Sequence, residues 1–158
     1  MSLRNALVGA PLLSDLVEPK PDVPRRKGRS LPTQRSKRLL EEAGWLVAIT
    51  ERWNPFAHVR QDLFGFGDLL AVNEDLGVLM VQTTSAPNLS KRIEKMNTEC
   101  FANLKKCLES GVNVEVHGWG KRGLRGERKL WTCRVVGAYL KEDPATNSTV
   151  IEWREERS

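Results

Sequence analysis

The sequence predicts an α/β fold in which helices flank a mixed sheet, with the element order α-β-β-β-α-β-β. The first observation behind this prediction is a pair of apolar segments, residues 68–72 (DLLAV) and 78–83 (VLMVQT), joined by a polar turn of hairpin length. Their continuous apolarity indicates strands that are covered on both faces. The second observation is an apolar side chain at every third or fourth position over residues 88–110, which is typical of one long amphipathic helix.

The chain has 158 residues, of which 40% are hydrophobic, and this suits one domain with an arm before it and a tail after it. Residues 1–32 hold more than half of the eight prolines together with the run PRRKGRS, so they predict a flexible basic arm. Residues 33–140 form the predicted domain. Residues 141–158 are expected to be a polar C-terminal tail.

Each remaining element of the domain has a local justification. Thr33 is a fair N-cap for a helix with the sequence TQRSKRLLEEAG, which ends at Gly44. A strand follows at 45–50. Two more strands are predicted at 112–119 (VNVEVHGW) and 130–140 (LWTCRVVGAYL), on either side of a basic loop.

The tryptophans divide into two groups by their sequence context. Trp45 and Trp131 stand in apolar strand segments, which favours a place in the core. Trp53 and Trp119 stand beside loops, where a tryptophan either stacks on an unpaired base or covers the end of the sheet.

Several classes of protein are excluded by composition. The three cysteines, Cys100, Cys107 and Cys133, include no CxxC pair, which argues against a disulfide framework and a zinc ribbon. The longest apolar runs, such as residues 78–81, are far below the ~18 residues that a transmembrane helix needs. We therefore expect an intracellular, cytoplasmic protein without a membrane partner.

The positive charge lies in two places along the chain. Residues 1–37 account for the whole formal net charge of +5, and a second basic group lies at 121–129. Both groups suit a polyanion such as nucleic acid, unless they are simply a solvated tail and a solvated hairpin. The candidate nucleic-acid-binding residues are Arg25, Arg26, Lys27, Arg29, Lys121, Arg122, Arg125, Arg128 and Lys129.

The predicted hairpin brings polar side chains together at one edge of the sheet. Asp68 begins the first strand and Gln82 lies in the returning strand, so they become neighbours. Thr84 lies two positions beyond Gln82 and shares its face. A carboxylate and an amide oxygen are hard ligands that suit Mg²⁺ or Mn²⁺, the cations used in phosphodiester hydrolysis.

This order of elements, with GFGDLLAV, a turn and VLMVQTT followed by a long helix, resembles the PD-(D/E)XK nuclease superfamily, especially its small Holliday-junction-resolvase-like and phage-type members. The resemblance implies a restriction-endonuclease-like core and Mg²⁺- or Mn²⁺-dependent cleavage of DNA. Asp68 matches the family's Asp position and Gln82 its Glu/Gln position. Junction-type relatives are dimers, so the resemblance also implies a homodimer.

The family's catalytic lysine has no counterpart at its usual place, where this chain has Thr84. A threonine cannot supply positive charge to the developing transition state. The resemblance then points to Lys91 or Lys95 on the following helix as the replacement. Asp62 and, at a lower rank, Glu51 are further acids that the same cleft could contain.

Simpler roles remain open for each candidate. Asp68 could cap a strand end, Gln82 could be a buried amide, and Lys91 and Lys95 could be solvated. The corresponding alternatives for function are a catalytically inactive nucleic-acid-binding module of the same fold, or an assembly protein whose arm, residues 1–32, wraps a partner chain.

Overall fold

A computed structural model describes residues 31–156, in which six strands form one sheet and two short strands form a second. The first half contains α1 (Pro32–Glu42), β1 (Leu46–Ile49), β2 (Arg52–Asn54), β3 (Val59–Gln61), β4 (Leu69–Asn73) and β5 (Gly77–Ser85). The second half contains α2 (Leu89–Thr98), α3 (Phe101–Glu109), β6 (Asn113–Arg122), β7 (Leu130–Asp143) and β8 (Ser148–Glu156).

The large sheet has the strand order β1-β4-β5-β6-β7-β8, and β2 pairs only with β3. All neighbouring strands are antiparallel except β5 and β6, which are parallel. A parallel pair requires a crossover, and α2 and α3 supply it. The fold is therefore mixed α and β, as the sequence predicts, with a mostly antiparallel sheet.

The predicted hairpin is present as β4 and β5. Asn73 pairs with Gly77, and the Asn73 side chain accepts hydrogen bonds from the backbone N–H groups of Asp75 and Leu76, which closes the turn. Gly77 has a φ of +81°, a conformation that favours glycine. The side chains of Leu79, Met80 and Val81 on β5 are all almost completely buried, so this strand is covered on both faces, as its continuous apolarity predicts.

Helices cover the two faces of the sheet unequally. On one face α1 contributes Leu40 to a small cluster with Leu69, Ala71, Leu79 and Val81. On the other face α2 and α3 pack on β5, β6 and β7 through a larger cluster. That larger cluster includes Phe66, Met80, Leu89, Met96, Cys100, Leu104, Val114, Val116 and Val136.

The predicted single helix over residues 88–110 is two helices. Cys100 has φ −108° and ψ 6°, outside the helical region, and α3 begins after it. The Cys100 side chain is buried, and its Sγ lies 3.5 Å from the carbonyl oxygen of Gly65. Because the apolar spacing continues through the break, the sequence pattern alone does not reveal it.

The strands also differ from the prediction at two places. The hairpin β2–β3 was not predicted, because its strands are short and solvent-exposed and carry no apolar alternation. Beyond residue 140, where a polar tail is expected, β7 continues to Asp143 and β8 pairs with it from Val135↔Glu156 to Asp143↔Ser148. Strand β8 is attached through half-buried side chains, of which Trp153 donates its Nε1–H to Asn97.

No helix within residues 31–156 has both the length and the apolarity needed to cross a membrane.

Candidate active site

A polar cleft of about 500 Å³ opens where β4 begins and β5 ends. Its walls come from the first turn of α1, the segment between β1 and β4, the end of β5 and one face of α2. Charged groups of both signs face it: the acids Glu51, Asp62 and Asp68, and the bases Arg60, Arg92 and Lys95.

Asp68 lies at the floor of this cleft and is only 5% exposed. Its Oδ2 accepts three hydrogen bonds: from Gln82 Nε2 at 2.7 Å, from the backbone N–H of Thr83 at 2.7 Å and from the Thr83 hydroxyl at 2.9 Å. The contact between Asp68 and Gln82 that the hairpin predicts is therefore present. Because one oxygen is engaged by three donors, the carboxyl group is held in one orientation.

The segment before Asp68 explains the two glycines of the GFGD sequence. A Cβ atom at Gly67 would lie 2.8 Å from the Sδ of Met80 and 3.1 Å from the carbonyl oxygen of Leu63, so no larger residue fits without movement. Gly65 has a φ of +88°, which disfavours other residues. The Thr50 hydroxyl donates to the carbonyl oxygen of Gly67 at 2.8 Å and ties this loop to the end of β1.

Burial raises the pKa of the Asp68 carboxyl to about 6. The hydrogen bonds from Thr83 oppose this rise, whereas the nearby charges of Asp62 and Glu51 add to it. Burial and the charge of Glu51 also raise the pKa of Asp62, against the lowering effect of Lys95 and Arg92. The cleft thus holds acids whose ionised forms are costly unless a cation lies near them.

Gln82 is almost completely buried, and its Nε2 donates to Asp68 and, at 3.2 Å, to the carbonyl oxygen of Thr83. With the nitrogen used in this way, Oε1 is the atom with which Gln82 would ligate a cation. Thr84 is also buried and lines the cleft.

The two lysine candidates on α2 have different positions. Lys95 lines the cleft, and its positive charge lowers the pKa of Asp62. It also lies 4.0 Å from the carboxylate of Glu99. Lys91 is exposed on α2 and is not among the residues that line the cleft. Lys95 therefore shares the cleft with Asp68 and Gln82, and Lys91 does not.

Sequence reasoning missed Arg92 and the bracing role of Thr33. Arg92 lines the cleft three positions before Lys95, which places both on one face of α2. Thr33 is not the N-cap, which is Leu31; its hydroxyl instead lies 2.9 Å from that of Thr83. Since the Thr83 hydroxyl donates to Asp68, Thr33 donates to Thr83, and the first turn of α1 braces the site.

Arg60 pairs with Glu51 at 2.8 Å and not with Asp62, so Asp62 is left to face Asp68 and α2. The part of the chain between β1 and β4 has no apolar periodicity. The only indication for Asp62 in the sequence is that it is an acid six residues before Asp68. Glu51 and Asp62 both line the cleft, as the sequence allowed, whereas no sequence pattern indicated the place of Arg60.

The oxygen donors of the cleft suit a hard cation by their chemistry. Within residues 31–156 no three His, Cys, Asp or Glu side chains are arranged so that they could hold a metal ion. Mg²⁺ needs fewer protein ligands than this, since it keeps several waters and binds through one or two carboxylates. Asp68, with Asp62 and the amide oxygen of Gln82, provides that number and type of ligand.

The basic residues of 121–129 lie on the hairpin between β6 and β7, and all of them are exposed. Lys121 and Arg122 end β6, and Gly126, with a φ of +90°, lies in the turn. Because Ser85 of the cleft pairs with Trp119, the hairpin extends from the end of the sheet that carries the cleft. The other predicted contacts, Arg25, Arg26, Lys27 and Arg29, lie outside the described residues.

The structure decides between the two roles left open for Trp119 and contradicts the core placement of Trp131. Trp119 is 8% exposed and donates its Nε1–H to the Ser36 hydroxyl at 2.8 Å, so it covers the sheet under α1. Trp131, which the sequence places in the core, is 40% exposed. It is the second residue of β7, next to the exposed hairpin of residues 121–129.

Comparisons of the chain with protein-family models, with curated proteins and with solved structures find no significant match in any of the three.

Proposed function

We propose that this protein is a metal-dependent phosphodiesterase that cleaves DNA. The observation that carries the proposal is the buried Asp68 carboxylate, held by Gln82 and Thr83 at the floor of an open cleft that Lys95 also lines. A buried acid with a raised pKa, beside basic side chains that attract phosphate, is typical of a catalytic centre.

The topology supports the same proposal. Helix α1 is followed by the antiparallel strands β1, β4 and β5, by a helical crossover and by the parallel strand β6. This is the order that the resemblance to the PD-(D/E)XK nucleases implies, with β2 and β3 as an insertion and β7 and β8 as an extension. A restriction-endonuclease-like core is therefore part of the proposal.

In this proposal Asp68 and Gln82 hold Mg²⁺ or Mn²⁺, and Asp62 adds a second carboxylate. When bound, the cation polarises the phosphate and lowers the pKa of a water ligand. Lys95 takes the place of the lysine that Thr84 does not provide, and it stabilises negative charge that develops on the phosphate. Arg92 attracts the phosphate and so offsets its repulsion by the acids of the cleft.

Cleavage assays on supercoiled, linear, single-stranded and branched DNA with Mg²⁺, Mn²⁺ or EDTA test the proposal. We expect metal-dependent cleavage of at least one form. Asp68→Asn should abolish it, and Lys95→Ala should lower its rate by about 100-fold or more. Lys91→Ala is the matched control, because Lys91 is on the same helix but outside the cleft, and it should retain activity.

The presence of Thr84 favours one second candidate, a binding module that has lost catalysis. That candidate predicts nucleic-acid binding without cleavage in any of the metal conditions. Equal loss in the Lys91→Ala and Lys95→Ala variants would contradict the role given to Lys95. A homodimer, and a partner chain for residues 1–32, stay predictions from the sequence.

A further inference from the structure

A second groove, of about 430 Å³, runs between α1 and the hairpin of β6 and β7. One wall is the basic face of α1, with Arg35, Lys37 and Arg38, and the other contains Trp119 and Trp131. Two acids, Glu41 and Glu42, also line it at the C-terminal end of α1, and Glu41 pairs with Lys37. The end of the groove nearest to the first turn of α1 is thus basic and aromatic.

The centre of this groove is a stacked pair. The guanidinium carbon of Arg35 lies 3.5 Å from the centre of the Trp131 ring, and Lys121 Nζ lies 5.4 Å from the same centre. Trp131 keeps 40% of its surface exposed in this arrangement. A large aromatic ring that is half in solvent contributes little to the core, and cations around it raise the local concentration of anions.

The groove adjoins the candidate active site. Thr33, which braces Thr83 and through it Asp68, precedes Arg35 by two residues on α1. On the sheet, Ser85 of the cleft pairs with Trp119, and Lys121 pairs with Trp131. The cleft and the groove therefore both border the first turns of α1, at the same end of the sheet.

The combination of an exposed indole and basic side chains distinguishes between forms of nucleic acid. A duplex presents its phosphates outward and keeps its bases stacked inside, so its bases offer no free face on which an exposed ring can stack. An unpaired base stacks on aromatic rings and on guanidinium planes, and cations beside the stack hold its phosphates.

We propose that this groove binds a single-stranded segment of the substrate, next to the cleft. An unpaired base adds to the Arg35–Trp131 stack, and Lys121 and Arg38 contact the phosphates on either side of it. The inference rests on the proposed function for the kind of ligand, and it adds a preference for DNA that has an unpaired stretch, such as an overhang or a branch.

Binding measured by fluorescence anisotropy in EDTA tests the inference without cleavage. The probes are a labelled single-stranded oligonucleotide and the blunt duplex of the same sequence. Trp131→Ala should weaken single-strand binding by roughly 10-fold or more, because one base loses its stacking partner. Duplex binding should change by less than about threefold, since one such contact contributes little to phosphate binding.

Two further variants separate stacking from folding and charge. Trp131→Phe keeps a ring and should recover most of the single-strand affinity. Arg35→Lys keeps the charge but loses the flat guanidinium, so it should weaken single-strand binding with an unchanged salt dependence. Trp153→Phe is the matched control, because that ring contacts Asn97 on α2 away from the groove, and it should bind like the wild type.

Unchanged single-strand binding in Trp131→Ala, or an equal loss for duplex and single strand, would overturn the inference. The outcome is separable from that of the proposed function. If the protein cleaves no DNA but Trp131→Ala weakens single-strand binding selectively, the groove proposal is supported and the enzyme proposal is contradicted. If the protein cleaves DNA but Trp131→Ala leaves single-strand binding unchanged, the enzyme proposal is supported and the groove proposal is contradicted.

Discussion

Burial of the Asp68 carboxyl group makes its ionised form unfavourable in the folded protein. This burial raises its pKa to about 6 from an ordinary value of 3.8. The folded protein therefore binds a proton at Asp68 more tightly than the unfolded chain does. The stability that this proton contributes is complete below about pH 4 and is lost as the pH rises through about 6.

This shift predicts a pH-dependent stability for the protein in EDTA. Between about pH 4 and pH 7 the wild type should lose roughly 1–3 kcal/mol of unfolding free energy through Asp68. Asp68→Asn should remove that part of the dependence and be the more stable protein at pH 7, since an amide carries no charge to bury. Urea unfolding of both proteins at pH 4.5 and pH 7 measures the difference, and parallel pH profiles would contradict the prediction.

At the scale of elements, the position of α1 is set by a buried polar cluster. Ser36 is fully buried; its Oγ accepts the Trp119 Nε1–H and lies 3.0 Å from His117 Nδ1. The other ring nitrogen of His117, Nε2, lies 3.0 Å from the Glu115 carboxylate, so both ring nitrogens of this buried histidine have a polar partner. The cluster joins α1 to β6 and thereby keeps Thr33 on the site.

Removal of the Ser36 hydroxyl should lower the free energy of unfolding by more than its small size suggests. Ser36→Ala leaves two buried ring nitrogens without their partner, which should lower the unfolding free energy by about 1–3 kcal/mol. Lys37→Ala, the next residue and partly exposed, should cost less than about 0.5 kcal/mol. Urea denaturation followed by tryptophan fluorescence compares the two. Equal small effects would mean that α1 is held by its apolar contacts alone.

The elements also show how far a sequence pattern reaches. The β4–β5 hairpin and the contact of Asp68 with Gln82 could be predicted, because turn chemistry and strand alternation are local. The break at Cys100 could not, because a helix and a kinked pair share the same apolar spacing. The basic side chains Arg60 and Arg92 could not be placed in the cleft either, since only tertiary contacts bring them there.

At the scale of the whole molecule, three surfaces with basic side chains lie at one end of the sheet within residues 31–156. The cleft, the basic face of α1 and the exposed hairpin of residues 121–129 all lie where β5 ends and β6 continues. Such an arrangement favours contact with one extended polyanion rather than with several small ligands.

Nucleic-acid binding should therefore depend strongly on salt. Affinity should fall steeply between low and physiological ionic strength, and Arg122→Gln or Arg125→Gln should weaken binding alike for all sequences. Each change should lower the salt slope by about one. Lys141→Gln is a control of the same type, near the opposite end of β7 from the basic hairpin. Anisotropy titrations over a range of salt concentrations give the slopes, and binding that ignores salt would contradict the prediction.

The tight contact between Gly67 and Met80 has a consequence for how this sequence can diverge. A Cβ atom at this position would meet the Met80 sulfur and the Leu63 carbonyl oxygen, so a larger residue there requires the Met80 side chain and the Leu63 backbone to shift. The glycine is not required by the chemistry of Asp68. A relative in which Asp68 is replaced should therefore still keep a glycine at position 67 for as long as a long side chain remains at position 80. The glycine reports on how this loop packs against β5, and only the acid after it reports on the chemistry of the cleft.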